Sequence, residues 1–112
     1  MRATIWHNPR CSKSRETLAI LNAEPGVEVD VIEYLKTPPS LADLSRLIGL
    51  AGLRPGEALR RSEPGAADLA DAGQDDMLAA MARDPILIER PLVETAKGVR
   101  LCRPPEKVRE IL

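Results

Sequence analysis

Aromatic side chains are nearly absent from this sequence. They make up 2% of the chain, and because phenylalanine is missing, Trp6 and Tyr34 account for all of them. Proteins that bind single-stranded nucleic acid stack successive bases on aromatic rings, and this chain has almost none to offer. The formal net charge of -1 gives no general attraction to nucleic acid or to an anionic membrane. We therefore expect an aliphatic core and neither a nucleic-acid nor a membrane partner.

Long apolar runs and multiple cysteines are also missing. No stretch approaches the roughly 18 apolar residues of a membrane-spanning helix, and the first residues lack the apolar run of a signal peptide. The two cysteines, Cys11 and Cys102, lie near opposite ends of the chain. These features predict a cytoplasmic protein, in which thiols are more often reactive or buried than joined in structural disulfides.

The length of 112 residues, with 44% hydrophobic and 29% charged side chains, suits one globular domain with a modest core. We therefore expect residues 1–112 to form a single domain.

Cys11 lies where a short apolar strand is predicted to turn into a helix, and this position favours reactivity. The first N–H groups of a helix have no partner within it and carry partial positive charge, so they stabilise a thiolate or an oxyanion. Arg10, Lys13 and Arg15 add three positive side chains nearby. Both effects lower the pKa of a thiol, and we predict that Cys11 is a nucleophile.

The first half of the sequence predicts a βαβ unit. Residues 3–6 form an apolar strand, residues 7–10 a loop, and a helix beginning at Cys11 ends near Pro25. Residues 27–34 alternate apolar and acidic side chains and are rich in β-branched residues, which indicates a second strand. Strands connected in this way are parallel, with a right-handed crossover.

The middle of the sequence predicts helices. Ser40 with Asp43 three residues later is typical of a helix N-cap. The apolar face of this helix would consist of Leu41, Leu44, Leu47 and Ile48. Glycine and proline interrupt residues 49–73, where we expect short helical fragments at 56–61 and 66–71. A further helix is predicted at 75–83, because Pro85 disfavours helical backbone before it.

The last part predicts a β-hairpin followed by a helix. Residues 92–95 and 99–102 are short apolar runs joined by residues 96–98. Pro104 and Pro105 then open a terminal helix, whose apolar residues would pack on the sheet.

The predicted order is βα, β, a helical insertion, then ββα. This is the order of the thioredoxin and glutaredoxin fold, so we predict an α/β protein with a mixed sheet flanked by helices. In that fold the reactive cysteine begins the first helix, and a cis-proline before the third strand faces it. Pro91 occupies the matching place.

The most specific motifs are residues 7–11, 14–18, 85–93 and 98–106, together with the stretches around Tyr34, Pro38 and Arg60. They resemble the glutaredoxin-coupled arsenate reductases. The likeness covers nearly the whole chain and is loosest between residues 56 and 72.

The resemblance implies a role for each matching residue. Cys11 would attack arsenate, and Arg60, Arg90 and Arg103 would bind the oxyanion and the intermediates on the sulfur. Several guanidinium groups make chemical sense, because a thiolate and a dianion repel each other unless positive charge holds them together. The resemblance implies no metal and no bound cofactor.

The reduction also needs a second thiol. Reducing As(V) to As(III) takes two electrons, yet Ser14 stands where a Cys-x-x-Cys motif would place another cysteine. The resemblance supplies this thiol from glutathione as co-substrate and names glutaredoxin as the protein that reduces the mixed species.

The side chains near the nucleophile have alternative roles. His7 could be a general base, an imidazolium that lowers the thiol pKa, or a structural residue that holds the loop. We expect the Ser14 side chain to hydrogen-bond the thiolate or the oxyanion, although serine in a helix is commonly inert. Asn8 could hold the loop.

Two further assignments depend on the fold. We expect Cys102 on a strand that points it into the core, rather than acting as a resolving thiol. Arg61 adjoins Arg60, so either could face the site while the other is solvated.

Two other functions stay open. The Spx-like relatives are redox-sensing regulators that bind RNA polymerase, but they typically carry a Cys-x-x-Cys switch that residues 11–14 lack. A protein with the same fold and a reactive thiol could also act on a different substrate. We expect a monomer.

Overall fold

The computed structural model describes residues 1–112 and contains a four-stranded mixed sheet. Its strands are β1 (Arg2–His7), β2 (Glu28–Glu33), β3 (Leu92–Thr95) and β4 (Gly98–Leu101). They lie in the order β2-β1-β3-β4, with β1 parallel to β2 and antiparallel to β3, and β3 antiparallel to β4. The predicted βαβ unit, hairpin and mixed sheet are confirmed.

Three α-helices flank this sheet: α1 (Ser12–Ala23), α2 (Leu41–Leu50) and α3 (Gln74–Arg83). Ser40 caps α2 as predicted, because the Asp43 N–H donates to its side-chain oxygen at 3.0 Å. The predicted apolar face of α2 is wrong at Leu41, which is 51% exposed because it lies in the first turn, at the edge of the packed face. None of the helices combines the length and the apolar character that a membrane span requires.

The core has two parts, one on each face of the sheet. Trp6 and Leu92 face the larger part, which α2, α3 and the insertion cover. Their neighbours Ile5 and Val93 face the smaller part, with Leu21 of α1 and the C-terminal segment. Adjacent strand residues point to opposite faces, so short strands supply both parts of the core.

The insertion between α2 and α3 differs from the prediction at residues 56–61. A 3-10 helix covers Pro55–Glu57 only, and Leu59 then forms an antiparallel bridge with Ile88. The Arg60 N–H donates to the Leu87 carbonyl, and the Glu89 N–H to the Ala58 carbonyl, both at 2.7 Å. Pairing with residues 87–89, which are distant in sequence, thus makes residues 58–60 extended rather than helical. The same pairing brings Arg60 beside the segment before β3. The second fragment is a 3-10 helix at Pro64–Leu69.

The C-terminal segment closes the smaller part of the core. The strand β4 ends at Leu101, so the prediction that Cys102 lies on the strand is wrong, since its N–H instead donates to the Pro91 carbonyl at 2.9 Å. The terminal helix is of the 3-10 type, Pro105–Ile111, and it buries Val108 and Ile111.

Candidate active site

Cys11 is the N-cap residue of α1 and is 8% exposed. Its own N–H donates to the Asn8 carbonyl at 3.0 Å, which fixes the turn from β1 into the helix. The N-cap side chain lies beside the free N–H groups of the first helical turn. The sulfur is therefore held at the strand-helix joint, as predicted.

The pKa of the Cys11 thiol is lowered from its ordinary value. Burial raises this pKa, but the backbone N–H groups of Ser14 and Lys13, the charge of Arg90 and the hydrogen bond from Arg103 outweigh burial. Negative charge on the sulfur is thus favoured by donors and cations at once.

The cations that act on Cys11 differ from those expected. The Lys13 side chain pairs with Glu16 at 3.8 Å in solvent, and Arg15 donates to the Pro9 carbonyl at 2.9 Å. The prediction that their side chains lower the thiol pKa is wrong, because helix geometry turns them away from the sulfur. The effective arginines come from the segments before β3 and after β4.

A cavity of about 260 Å3 opens in front of Cys11. Arg60 and Arg90 lie in its wall, while Arg61 is exposed and donates to the Gly56 carbonyl at 3.1 Å. Arg60, rather than Arg61, therefore faces the site.

Arg60 and Arg90 are only partly neutralised by protein. An Nη1 of Arg90 donates to Glu89 at 2.7 Å, and an Nη1 of Arg60 lies 3.6 Å from Glu63. The Nε of each arginine is buried and has no hydrogen-bond partner. Unpaired buried donors are uncommon and mark a place where an acceptor is missing.

Arg103 also reaches the sulfur of Cys11. Its Nη1 lies 4.0 Å from the Cys11 Sγ and donates to the Arg90 carbonyl at 3.1 Å. Its exposed side chain adds a third guanidinium to the Cys11 surroundings. The structure therefore brings together the three arginines singled out from the sequence.

His7 and Ser14 form a buried pair behind the loop. The His7 Nδ1 lies 2.6 Å from the Ser14 Oγ, which also accepts the Asn8 N–H at 3.0 Å. Of the two predicted partners of the Ser14 hydroxyl, the thiolate is not the one it bonds, because His7 and the Asn8 N–H occupy the hydroxyl; the backbone N–H of Ser14 stabilises the sulfur instead.

The position of His7 favours the structural alternative. Burial lowers the pKa of the imidazole, an effect that Glu33 opposes and Arg15 reinforces. The ring is therefore mostly neutral near pH 7, and its Nδ1 contacts Ser14 rather than the Cys11 sulfur. This geometry favours a histidine that holds the loop over an imidazolium beside the thiolate.

Asn8 holds the loop, as predicted. Its Oδ1 accepts the Arg10 N–H at 3.0 Å, and its Nδ2 donates to the Tyr34 hydroxyl at 3.4 Å. Tyr34 is 1% exposed, so the loop rests on a rigid buried side chain. Pro91 is buried after a cis Arg90–Pro91 bond, at the start of β3.

Sequence reasoning missed the acidic and apolar residues of the site. Glu63 and Glu89 partly balance the arginines, and their only signal was their spacing from Arg60 and Arg90. Leu35 and Ile86, which are 44% and 36% exposed, line the cavity mouth. No group of three or more His, Cys, Asp or Glu side chains is arranged to hold a metal ion.

Comparison with known proteins identifies the family to which the sequence is similar. The model of the ArsC family matches residues 6–111. The chain is 45% identical over 116 residues to an arsenate reductase of Rhizobium meliloti, covering 100% of this chain and 82% of that protein. It is 42% identical to the uncharacterized protein YfgD of Escherichia coli, covering 96% of this chain and 94% of that protein.

Solved structures give the same result. An arsenate reductase from Vibrio cholerae matches with a TM-score of 0.92 and 44% identity, covering 100% of this chain and 98% of that chain. A second match, described as a putative arsenate reductase from Yersinia pestis, has a TM-score of 0.88 and 45% identity, covering 97% of this chain and 99% of that chain.

Proposed function

The chain belongs to the ArsC family, and from this premise we propose that it reduces arsenate to arsenite with Cys11 as the nucleophile. The observation that carries the proposal is the cavity in which the Cys11 thiol faces Arg60 and Arg90, each with a buried Nε that lacks a partner. A bound oxyanion supplies the missing acceptor. Relatives named arsenate reductase support arsenate as that oxyanion.

The first step joins sulfur to arsenic. The Cys11 thiolate attacks arsenic, an S–As bond forms, and one arsenate oxygen takes protons from solvent and leaves as water. Arg60, Arg90 and Arg103 hold the two anions together and bear the charge that develops on the remaining oxygens. His7 does not act as the base, because Cys11 already favours its thiolate form and the His7 Nδ1 contacts Ser14.

The second step uses the thiol of glutathione. The glutathione thiolate attacks the Cys11 sulfur, an S–S bond forms, and the electron pair of the S–As bond stays on arsenic. Arsenic is thereby reduced from As(V) to As(III) and leaves as arsenite. Glutaredoxin then reduces the mixed disulfide, which restores the Cys11 thiolate.

An external thiol is proposed because the only other cysteine is unsuited to the role. Cys102 is fully buried, and burial raises its pKa to about 12, so it is a protonated thiol at neutral pH. A protein that depends on glutathione and glutaredoxin works where both are available, so we place it in the cytoplasm as a monomeric enzyme of arsenic resistance.

The test is an arsenate-dependent NADPH oxidation assay with glutathione, glutaredoxin and glutathione reductase. We expect turnover only when arsenate, glutathione and glutaredoxin are all present, with arsenite as the product. A protein that oxidises no NADPH under these conditions does not have the proposed activity. Turnover that continues without glutathione would leave arsenate reduction in place but refute the proposed reductant.

A further inference from the structure

A second cavity adjoins the one that contains Cys11, and the mechanism above does not use it. Its volume is about 260 Å3. Asn8, Arg10 and Leu35 line both cavities, so the two adjoin at the reactive loop. A molecule seated in the second cavity can therefore extend toward Cys11 across this loop.

The charged residues of the second cavity comprise two cations and one carboxylate. Arg10 lies at the junction of the two cavities, and its only hydrogen bond comes from its backbone N–H, so its guanidinium has no partner. Lys36 and Glu33 line the same cavity, with 3.7 Å between the Nζ and Oε1 atoms. This pair is exposed, and such pairs exchange partners at little cost.

His7 adds an unpartnered polar group. It is 6% exposed and lines the second cavity, and its Nδ1 is engaged by Ser14 while its Nε2 has no partner. The Ser14 oxygen accepts the Asn8 N–H, and its own proton has no acceptor besides Nδ1. When the Ser14 hydroxyl donates to Nδ1, the ring proton sits on Nε2, which leaves a donor for a ligand carbonyl or carboxylate.

We propose that the second cavity is the glutathione subsite, an inference that rests on the proposed function. Glutathione has two carboxylates and one ammonium, and the cavity offers two cations, Arg10 and Lys36, with one carboxylate, Glu33. The His7 Nε2–H is available for a peptide carbonyl. The ligand's charges and the cavity's charges are thus matched in number and opposite in sign.

The position of the cavity also suits the chemistry. The thiol of glutathione belongs to its central residue, so the charged ends can stay beside Arg10 and Lys36 while the sulfur crosses the loop. Its arrival at Cys11 then leads to the S–S bond of the second step. Binding beside the arsenate cavity rather than within it lets the Cys11–arsenate adduct and glutathione be present together.

The test compares Lys36→Glu with Lys97→Glu. Both lysines are exposed, but Lys97 lies in the turn between β3 and β4 and lines neither cavity. We expect Lys36→Glu to raise the KM for glutathione roughly fivefold or more, because an exposed attraction to the ligand carboxylate becomes a repulsion. The KM for arsenate should not change. Lys97→Glu should match the wild type in each measurement.

A binding experiment separates this inference from the proposed function. S-methylglutathione cannot react, so its affinity for the protein, measured by calorimetry, does not depend on any arsenate activity. Weaker binding to Lys36→Glu than to Lys97→Glu supports the subsite even in a protein that fails to reduce arsenate. Equal binding to both variants, or an unchanged KM for glutathione in an active Lys36→Glu enzyme, overturns it.

Discussion

Cys11 and Cys102 are both buried, with exposed fractions of 8% and 0%, yet their pKa values are shifted in opposite directions. Burial dominates around Cys102 and raises its pKa to about 12. Around Cys11 the N–H donors and arginines outweigh burial and lower the pKa. The groups that face a sulfur, rather than burial alone, thus decide whether it is reactive.

The backbone around each thiol explains the difference. Cys11 begins a helix, so free N–H groups surround its sulfur. Cys102 follows β4, and its Sγ lies 3.6 Å from the Arg100 carbonyl, an acceptor that favours the protonated thiol. A cysteine at the start of a helix therefore favours the thiolate, whereas a cysteine that follows a strand stays a protonated thiol.

The largest effect should come from exchanging the cysteines one at a time for serine. Cys11→Ser should reduce arsenate turnover to the level measured without enzyme, because no S–As bond can form. Cys102→Ser should keep turnover within about twofold of wild type, because this substitution alters only the packing of the core. The coupled NADPH assay measures both.

A trapping experiment checks the same prediction by identifying the intermediate that forms on Cys11. Protein quenched during turnover should carry glutathione on Cys11 by mass spectrometry. A Cys11–Cys102 disulfide, with activity lost in Cys102→Ser, would reverse the contrast between the two thiols.

The next largest effect on turnover should come from replacing Arg60 or Arg90, which line the cavity of Cys11 and not the surroundings of Cys102. Arg60→Lys and Arg90→Lys should each lower kcat/KM for arsenate about 10- to 100-fold, because a lysine keeps the charge but loses the planar fork. Arg61→Lys is the matched control, since Arg61 lies outside the cavity, and its kinetics should not change.

Stability measurements complete this comparison. The free energy of unfolding in urea should be similar in the active and inactive lysine variants, because the proposed partners of the arginines are substrate oxygens. Equal kinetics for Arg60→Lys, Arg90→Lys and Arg61→Lys would place all three arginines outside the chemistry.

A smaller effect is expected on thiol reactivity. Iodoacetamide should label Cys11 in the folded protein with a midpoint pH below that of cysteine in the unfolded chain, while Cys102 reacts only after unfolding. Arg103→Gln should raise the Cys11 midpoint, because one cation beside the sulfur is removed. A midpoint that is the same in Arg103→Gln and wild type would show that Arg103 does not act on the thiol.

Much of this arrangement could be predicted from local sequence. The strand-helix joint at Cys11, the Ser40 cap and the pairing of β3 with β4 depend on residues close together in the chain. Local patterns also indicated the candidate site, because Cys11 begins a helix and Ser14 replaces a second cysteine.

The errors have a common physical origin in long-range contacts. Residues 58–60 are extended because residues 87–89 offer hydrogen-bond partners, and this pairing selects Arg60 over Arg61. Arg90 and Arg103, rather than nearby Lys13 and Arg15, act on Cys11 because the pairing of β1, β3 and β4 brings segments distant in sequence beside the loop.

The smallest effect should be a difference in how stability depends on pH. The pKa of Cys102 is raised in the folded state, so above the ordinary thiol pKa the unfolded chain loses a proton that the folded protein keeps. Stability therefore falls as pH rises from about 8.5, by at most about 1.4 kcal/mol per pH unit for this one group. Cys102→Ala should remove this fall.

The same measurement on Cys11 should have the opposite sign. Its folded-state pKa is lowered, so its contribution to stability is lost as pH falls through the folded pKa and is fully present above the unfolded one. Cys11→Ser should therefore lack a rise in stability with pH that the wild type has, whereas Cys102→Ala lacks a fall. Urea unfolding of wild type and both variants at a series of pH values measures the two slopes. Slopes that change in the same direction in the two variants would contradict the contrast, because both thiols would then be governed by burial alone.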